Sequence, residues 1–93
     1  MNSEFFRALC EPVRIDIFLF FVKQGRSDVG SVAASFSQNR SVISRHLQIL
    51  ERAGILASEK EGRHVYYDIE SETLVRHLES LARQARALIT DCC

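Results

Sequence analysis

Five side chains between Arg40 and Gln48 make the most chemically suggestive group in the chain: Arg40, Ser41, Ser44, Arg45 and Gln48. A guanidinium or an amide can make paired hydrogen bonds to the edges of bases, and either arginine could pair with guanine. Serine keeps a backbone close to whatever it faces. No Asp or Glu occurs between Asp28 and Glu51, so nothing in this span repels a phosphate. Ile43, Leu47 and Leu50 fall at i, i+4 and i+7, an apolar stripe of helical period, and the five polar residues lie off it. Such a helix, with its apolar edge in a core, is shaped to enter a groove. Arg40 would stand at the helix start, where the dipole favours phosphate. An ordinary amphipathic surface helix is the alternative for this segment alone.

Other chemistry is sparse. There is no nucleophile-elbow motif, no glycine-rich phosphate loop and no Cys or His pair at metal spacing. His46, His64 and His77 are too scattered to propose a catalytic base, so the chain is not expected to be an enzyme. His46 sits near the edge of the apolar stripe and reads as a local packing residue. The formal net charge is zero, so any nucleic-acid binding must come from a local basic patch. The 93 residues suffice for one domain, taken as 1–93, with a modest core. Met1-Asn2-Ser3-Glu4 lacks the basic start of a signal peptide. The apolar run Ile17 to Val22 is far shorter than the roughly 20 residues a bilayer needs, so no membrane association and a cytoplasmic location are expected.

The polar row must be held by its neighbours in the chain. Phe5, Phe6 and Leu9 give a short apolar lead at helical spacing. Pro12 suits the first turn of a second helix, running from about Glu11 to a stop at Gly25. Its block Ile15 to Val22 is apolar almost all round and must be covered by its own domain or by a second subunit. Ser27 or Asp28 can cap a third helix with Val29, Val32, Ala33 and Phe36 on its apolar edge. Ser37-Gln38-Asn39 is a polar break, Asn39 a good cap for the fourth helix, and Gly54 its stop. Residues 28–53 therefore read as a helix-turn-helix whose second helix does the reading. Residues 55–69 follow as a β-hairpin, with Val65, Tyr67 and Ile69 alternating against His64, Tyr66 and Asp68. This wing carries Lys60, Arg63 and His64 at its tip, diluted by Glu61. Lys60 and Arg63 would position the chain on a backbone and would not choose sequence. Ser71 caps a last helix over about 71–90. Leu74, Leu78, Leu81, Ala85 and Leu88 are spaced four, three, four, three, with Val75, Ala82 and Ile89 beside them. Coiled-coil spacing of this kind favours a seam between two chains over packing on one core.

Mainly α with one small hairpin, in the order α-α-α-α-β-β-α, describes a winged helix-turn-helix. The chain resembles the arsenic-repressor (ArsR/SmtB) family of bacterial metal- and redox-responsive repressors. The matching motifs are Ala8-Leu9-Cys10-Glu11-Pro12-Val13-Arg14, Ser44-Arg45-His46-Leu47-Gln48-Ile49-Leu50, Ala53-Gly54-Ile55-Leu56 and Glu61-Gly62-Arg63-His64-Val65-Tyr66-Tyr67. The resemblance implies a homodimer through the first and last helices, with Phe5 and Leu9 joining Leu74, Leu78, Leu81, Ala85 and Leu88 at the interface. It also implies a repressor of a palindromic double-stranded DNA operator, released by a ligand. The family's metal sites are not reproduced. Asp28 and Gly30 stand where one group of sensors has thiols, and Asp68, His77 and Glu79 lack the spacing of another.

The odd set of three cysteines, Cys10, Cys92 and Cys93, is no disulfide framework and holds the only hint of a signal. If the first and last helices form the interface, Cys10 of one chain could approach the tail of either. Three thiolates suit arsenite or antimonite, As(III) or Sb(III); two could form a disulfide, Cys10 with Cys92 or Cys93, and sense oxidant or sulfide. The plain alternative makes Cys10 a small core residue and the other two a frayed end. Two further readings stand beside the inducible repressor: a ligand-independent repressor, and a winged helix used for protein contact.

Overall fold

The computed structural model describes residues 3–92, with side chains through Ile89. Five helices and three strands follow one another as α1 (Ser3–Ala8), α2 (Pro12–Gln24), β1 (Ser27–Asp28), α3 (Val29–Ala33), α4 (Arg40–Arg52), β2 (Leu56–Glu61), β3 (His64–Ile69) and α5 (Ser71–Cys92). Pro12 opens α2, and Gly25, at φ 77°, closes it while its N–H donates to the Phe21 carbonyl at 2.9 Å. Asp28 caps α3 by accepting from the Ser31 N–H at 3.0 Å. Asn39 does the same for α4, accepting from the Val42 N–H at 3.0 Å.

The end of α4 is a Schellman turn. Gly54 adopts φ 82°, its N–H donates to the Glu51 carbonyl at 2.9 Å, and the Ile55 N–H donates to the Leu50 carbonyl at 3.0 Å. A Cβ on Gly54 would also come within 3.0 Å of the Thr73 methyl. The chain thus leaves α4 directly into β2. The wing turns through Gly62-Arg63, with Glu61 opposite His64 and Gly62 at φ 61°. Positive φ at the first turn residue only is the pattern of a type II′ hairpin.

The sheet has three strands where the sequence announces two. Ser27 and Asp28 pair antiparallel with Tyr67 and Tyr66, so the order is β1-β3-β2. Two residues are too few to show an alternating pattern, and Asp28 serves both as strand and as helix cap. Ser71 stands inside the first turn of the last helix and is not its cap: the Glu70 carbonyl accepts from the Leu74 N–H at 3.1 Å.

Ile43, Leu47 and Leu50 of α4 are fully buried at the centre of one core, with Phe5, Ile17, Phe21, Val32, Ile55, Leu56 and Tyr67 around them. Phe5, which the resemblance puts at the interface, packs within its own chain. It is only 1% exposed, and its ring stacks on His77 at 4.5 Å and 26°. A six-residue α1 has one apolar face, and that face is consumed by its own chain. Leu9 and Leu74 likewise pack, half-buried, against that core.

Beyond His77 the last helix leaves the body, and its apolar row is open from Val75 onward. Val75, Leu78, Leu81, Leu88 and Ile89 are 37–67% exposed, and Ala85 between them is exposed too. On α2, Ile15, Leu19 and Val22 are 41–60% exposed, while Ile17 and Phe21 are buried. The domain core therefore covers only part of the block that is apolar all round. The radius of gyration is 15.2 Å, against about 12 Å expected for a compact domain of this length. The long axis of 54 Å reflects the protruding α5.

Candidate nucleic-acid interface

Helix α4 lies against α3 with its apolar stripe inward, which turns Arg40, Ser41, Arg45 and Gln48 to the surface. Ser44 is half-buried at the margin of the same face and accepts from the Gln48 amide at 3.5 Å. The Ser41 hydroxyl donates to the Asn39 side-chain oxygen at 2.7 Å, so it is partly engaged in the helix cap. The Arg40 guanidinium lies over Gly30 of α3: a Cβ there would stand 3.4 Å from its Nη1. The five residues singled out in the sequence thus share one region.

Lys60 and Arg63 are also exposed, Arg63 at the wing turn and Lys60 on β2 opposite Val65. The strand register sorts the wing into two faces. Ser58 and Lys60 share a face with Val65 and the buried Leu56 and Tyr67, and the Ser58 hydroxyl donates to Glu51 at 2.6 Å. Glu59, Glu61, His64, Tyr66 and Asp68 share the opposite face. There the Arg26 guanidinium stands 3.1 Å from Glu61, 4.0 Å from Glu59 and 4.0 Å above the Tyr66 ring. His64 faces Asp28 at 3.5 Å. The Asp28 carboxyl is held below the usual carboxylate range, first by hydrogen bonding to Ser31, with His64 adding a smaller pull.

His46 is a packing residue at the margin of the stripe. It is half-buried, and its Nδ1 lies 3.4 Å from Nη1 of Arg14. Burial first, then the guanidinium of Arg14, pushes the imidazole below its ordinary pKa. Arg14 also donates to the Ala8 carbonyl at 2.6 Å and the Arg7 carbonyl at 3.3 Å. One side chain therefore closes the C-terminal end of α1 and touches the reading helix. Arg14 and His46 belong to separate motifs, and nothing in a single sequence joins positions 32 residues apart. Arg26 was missed altogether; an arginine directly after a helix-ending glycine looks like any loop cation.

The cysteines are less complete. Cys10 is exposed, with its thiol 3.3 Å from the Phe6 carbonyl. Cys92 ends α5, but its side chain and all of Cys93 lie outside the described residues. Among the described residues no group of three or more His, Cys, Asp or Glu could hold a metal ion. Among them, too, no helix is long and apolar enough to cross a membrane.

Residues 11–58 match the family described as bacterial regulatory protein, arsR family. The chain is 32% identical over 74 residues to the transcriptional repressor SdpR of Bacillus subtilis, covering 80% of each. A crystal structure of an ArsR family transcriptional regulator superposes with a TM-score of 0.81 at 26% identity, covering 92% of this chain and 93% of that one. The homodimeric winged helix-turn-helix DNA-binding domain Mb0332 of Mycobacterium bovis gives a TM-score of 0.73 at 26% identity, covering 90% of this chain and 77% of its own. The helix-turn-helix, the wing and these likenesses agree: the chain belongs to the ArsR family of winged helix-turn-helix, DNA-binding transcriptional regulators.

Proposed function

We propose that the protein is a transcriptional repressor that binds a palindromic operator as a homodimer. The observation that carries the reading is the exposed face of α4, where Arg40, Ser41, Arg45 and Gln48 stand on a helix anchored by three fully buried residues, Ile43, Leu47 and Leu50. A helix of this kind, free of acidic residues from Arg40 to Leu50, supplies base contacts, while Lys60 and Arg63 on the wing supply backbone contacts. The uncovered apolar faces of α5 and α2 support a second copy as the partner, because an exposed apolar patch of this extent seeks cover. The name of SdpR as a repressor and the homodimeric state of Mb0332 support the same assignment for this chain.

Titration of a palindromic duplex against a scrambled one, at two salt concentrations, tests the reading. The expected result is preference for the palindrome and a steep loss of affinity with salt. Binding that ignores both would sink it.

Release of the operator by a thiol-directed signal at Cys10, Cys92 and Cys93 is the accompanying proposal. The exposed Cys10 thiol at the end of α1 supports it. Arsenite, antimonite and an oxidant or sulfide are the candidate signals.

A further inference from the structure

The basic wing carries two carboxylates, Glu59 and Glu61, on either side of Lys60. Near a polyanion they oppose what Lys60 and Arg63 do. Both face Arg26, which reaches them from the loop between α2 and β1 at 4.0 and 3.1 Å. Its guanidinium also lies 4.0 Å over Tyr66, the residue opposite Glu59 on β3. Stacking on the ring fixes where the charge stands, so the pairing is more than the chance encounter of two surface side chains. Arg26 itself lies on the face opposite Lys60.

We propose that Arg26 is a positioning residue for DNA binding: its one positive charge offsets part of the charge of Glu59 and Glu61 and straps the wing to the domain, so that Lys60 and Arg63 can approach phosphates without contact between Arg26 and DNA. This rests on the wing reading of the proposed function. The deeper role is to offset part of the carboxylate charge that flanks Lys60.

Removing Arg26 takes one positive charge from beside two carboxylates; charges of the wing act on phosphates within about a Debye length, about 10 Å at 0.1 M salt. The expected loss is on the order of fivefold in affinity at that salt, fading as the Debye length shrinks to about 3 Å at 1 M. The measurement is fluorescence anisotropy with a labelled duplex of arbitrary sequence, because backbone binding needs no operator. The variants are Arg26→Ala, Glu59→Gln with Glu61→Gln, all three changes together, and Arg63→Ala as the test of the wing itself. Circular dichroism melting of each variant accompanies the titrations.

The proposal expects Arg26→Ala to bind more weakly and the triple variant to return to wild-type affinity. The glutamine pair must also raise affinity more in the Arg26→Ala background than in wild type, because an arginine that touches phosphate, or a merely structural one, gives the same gain in both. A triple variant as weak as Arg26→Ala overturns the proposal, whether the cause is lost phosphate contact or lost folding. An unchanged Arg26→Ala beside a weakened Arg63→Ala overturns it while leaving the wing reading intact. If Arg63→Ala binds as well as wild type, the wing reading fails and takes the inference with it.

Discussion

Leu78→Asp addresses the proposed dimer directly. Leu78 is 50% exposed in the single chain and lies outside its core cluster. Full burial of a leucine is worth about 1.5–3 kcal/mol, so covering the open half contributes about 1 kcal/mol per copy and about 2 kcal/mol across a two-fold seam. An aspartate at the same place must also give up water or its charge, which adds a penalty of several kcal/mol when no cation pairs with it. The sum, at least about 4 kcal/mol, raises the dimer dissociation constant by about a thousandfold or more. Sedimentation velocity distinguishes a 10.6 kDa monomer from a particle of twice that mass. Wild type should sediment as the larger species and Leu78→Asp as the smaller at the same micromolar concentration. Far-UV circular dichroism should be retained, since the site contributes little to the fold of one chain. A Leu78→Asp variant that stays dimeric, or a wild-type protein that is already monomeric, refutes the seam.

The other predictions concern reading, acid stability and the signal. Arg45→Ala should relax sequence preference by the worth of a paired base contact, about 1–3 kcal/mol, whereas Lys60→Ala should weaken every sequence alike and lower the salt slope by about 1. Identical behaviour of the two variants in competition titrations would contradict the division between reading and positioning. For His46, burial and Arg14 depress the folded pKa below the unfolded value of 6.5. The unfolded chain then binds the proton more readily, so the contribution of His46 is full above pH 6.5 and is lost as pH falls through that value toward the folded pKa. Urea midpoints should fall between about pH 7.5 and about pH 5.5, and His46→Gln should flatten that fall; an equal fall in the variant assigns it elsewhere. Arsenite or an oxidant should lower operator affinity of wild type but not of Cys10→Ser, with mass spectrometry of the oxidised protein joining Cys10 to Cys92 or Cys93. Unchanged affinity under both treatments ends the thiol proposal.

What the chain discloses in one dimension depends on the range of the cause. The α4 stripe of Ile43, Leu47 and Leu50, the Asn39 cap and the Gly54 stop are local, and all three appear in the structure where the spacing puts them. The hairpin is local as well, its turn marked by Gly62. Three features were not legible. The strand at Ser27–Asp28 has no period and exists only because Tyr66 and Tyr67 come to it. The resemblance puts Phe5 at an interface, and only the position of His77 shows that α1 packs that ring within its own chain. The Arg14–His46 and Arg26–Tyr66 contacts depend on helices and strands meeting across long stretches of chain. That Arg40, Ser41, Arg45 and Gln48 lie exposed on α4, by contrast, was legible because a helix converts spacing into a face.

Selection of binding sites from random duplex DNA tests the central claim most directly: two copies of α4, held apart by a dimer, read one groove face together. The account predicts enrichment of a two-fold symmetric site with half-sites about one helical turn, or a multiple of it, apart. Enrichment of a single asymmetric element, or no enrichment above the starting pool, would contradict it.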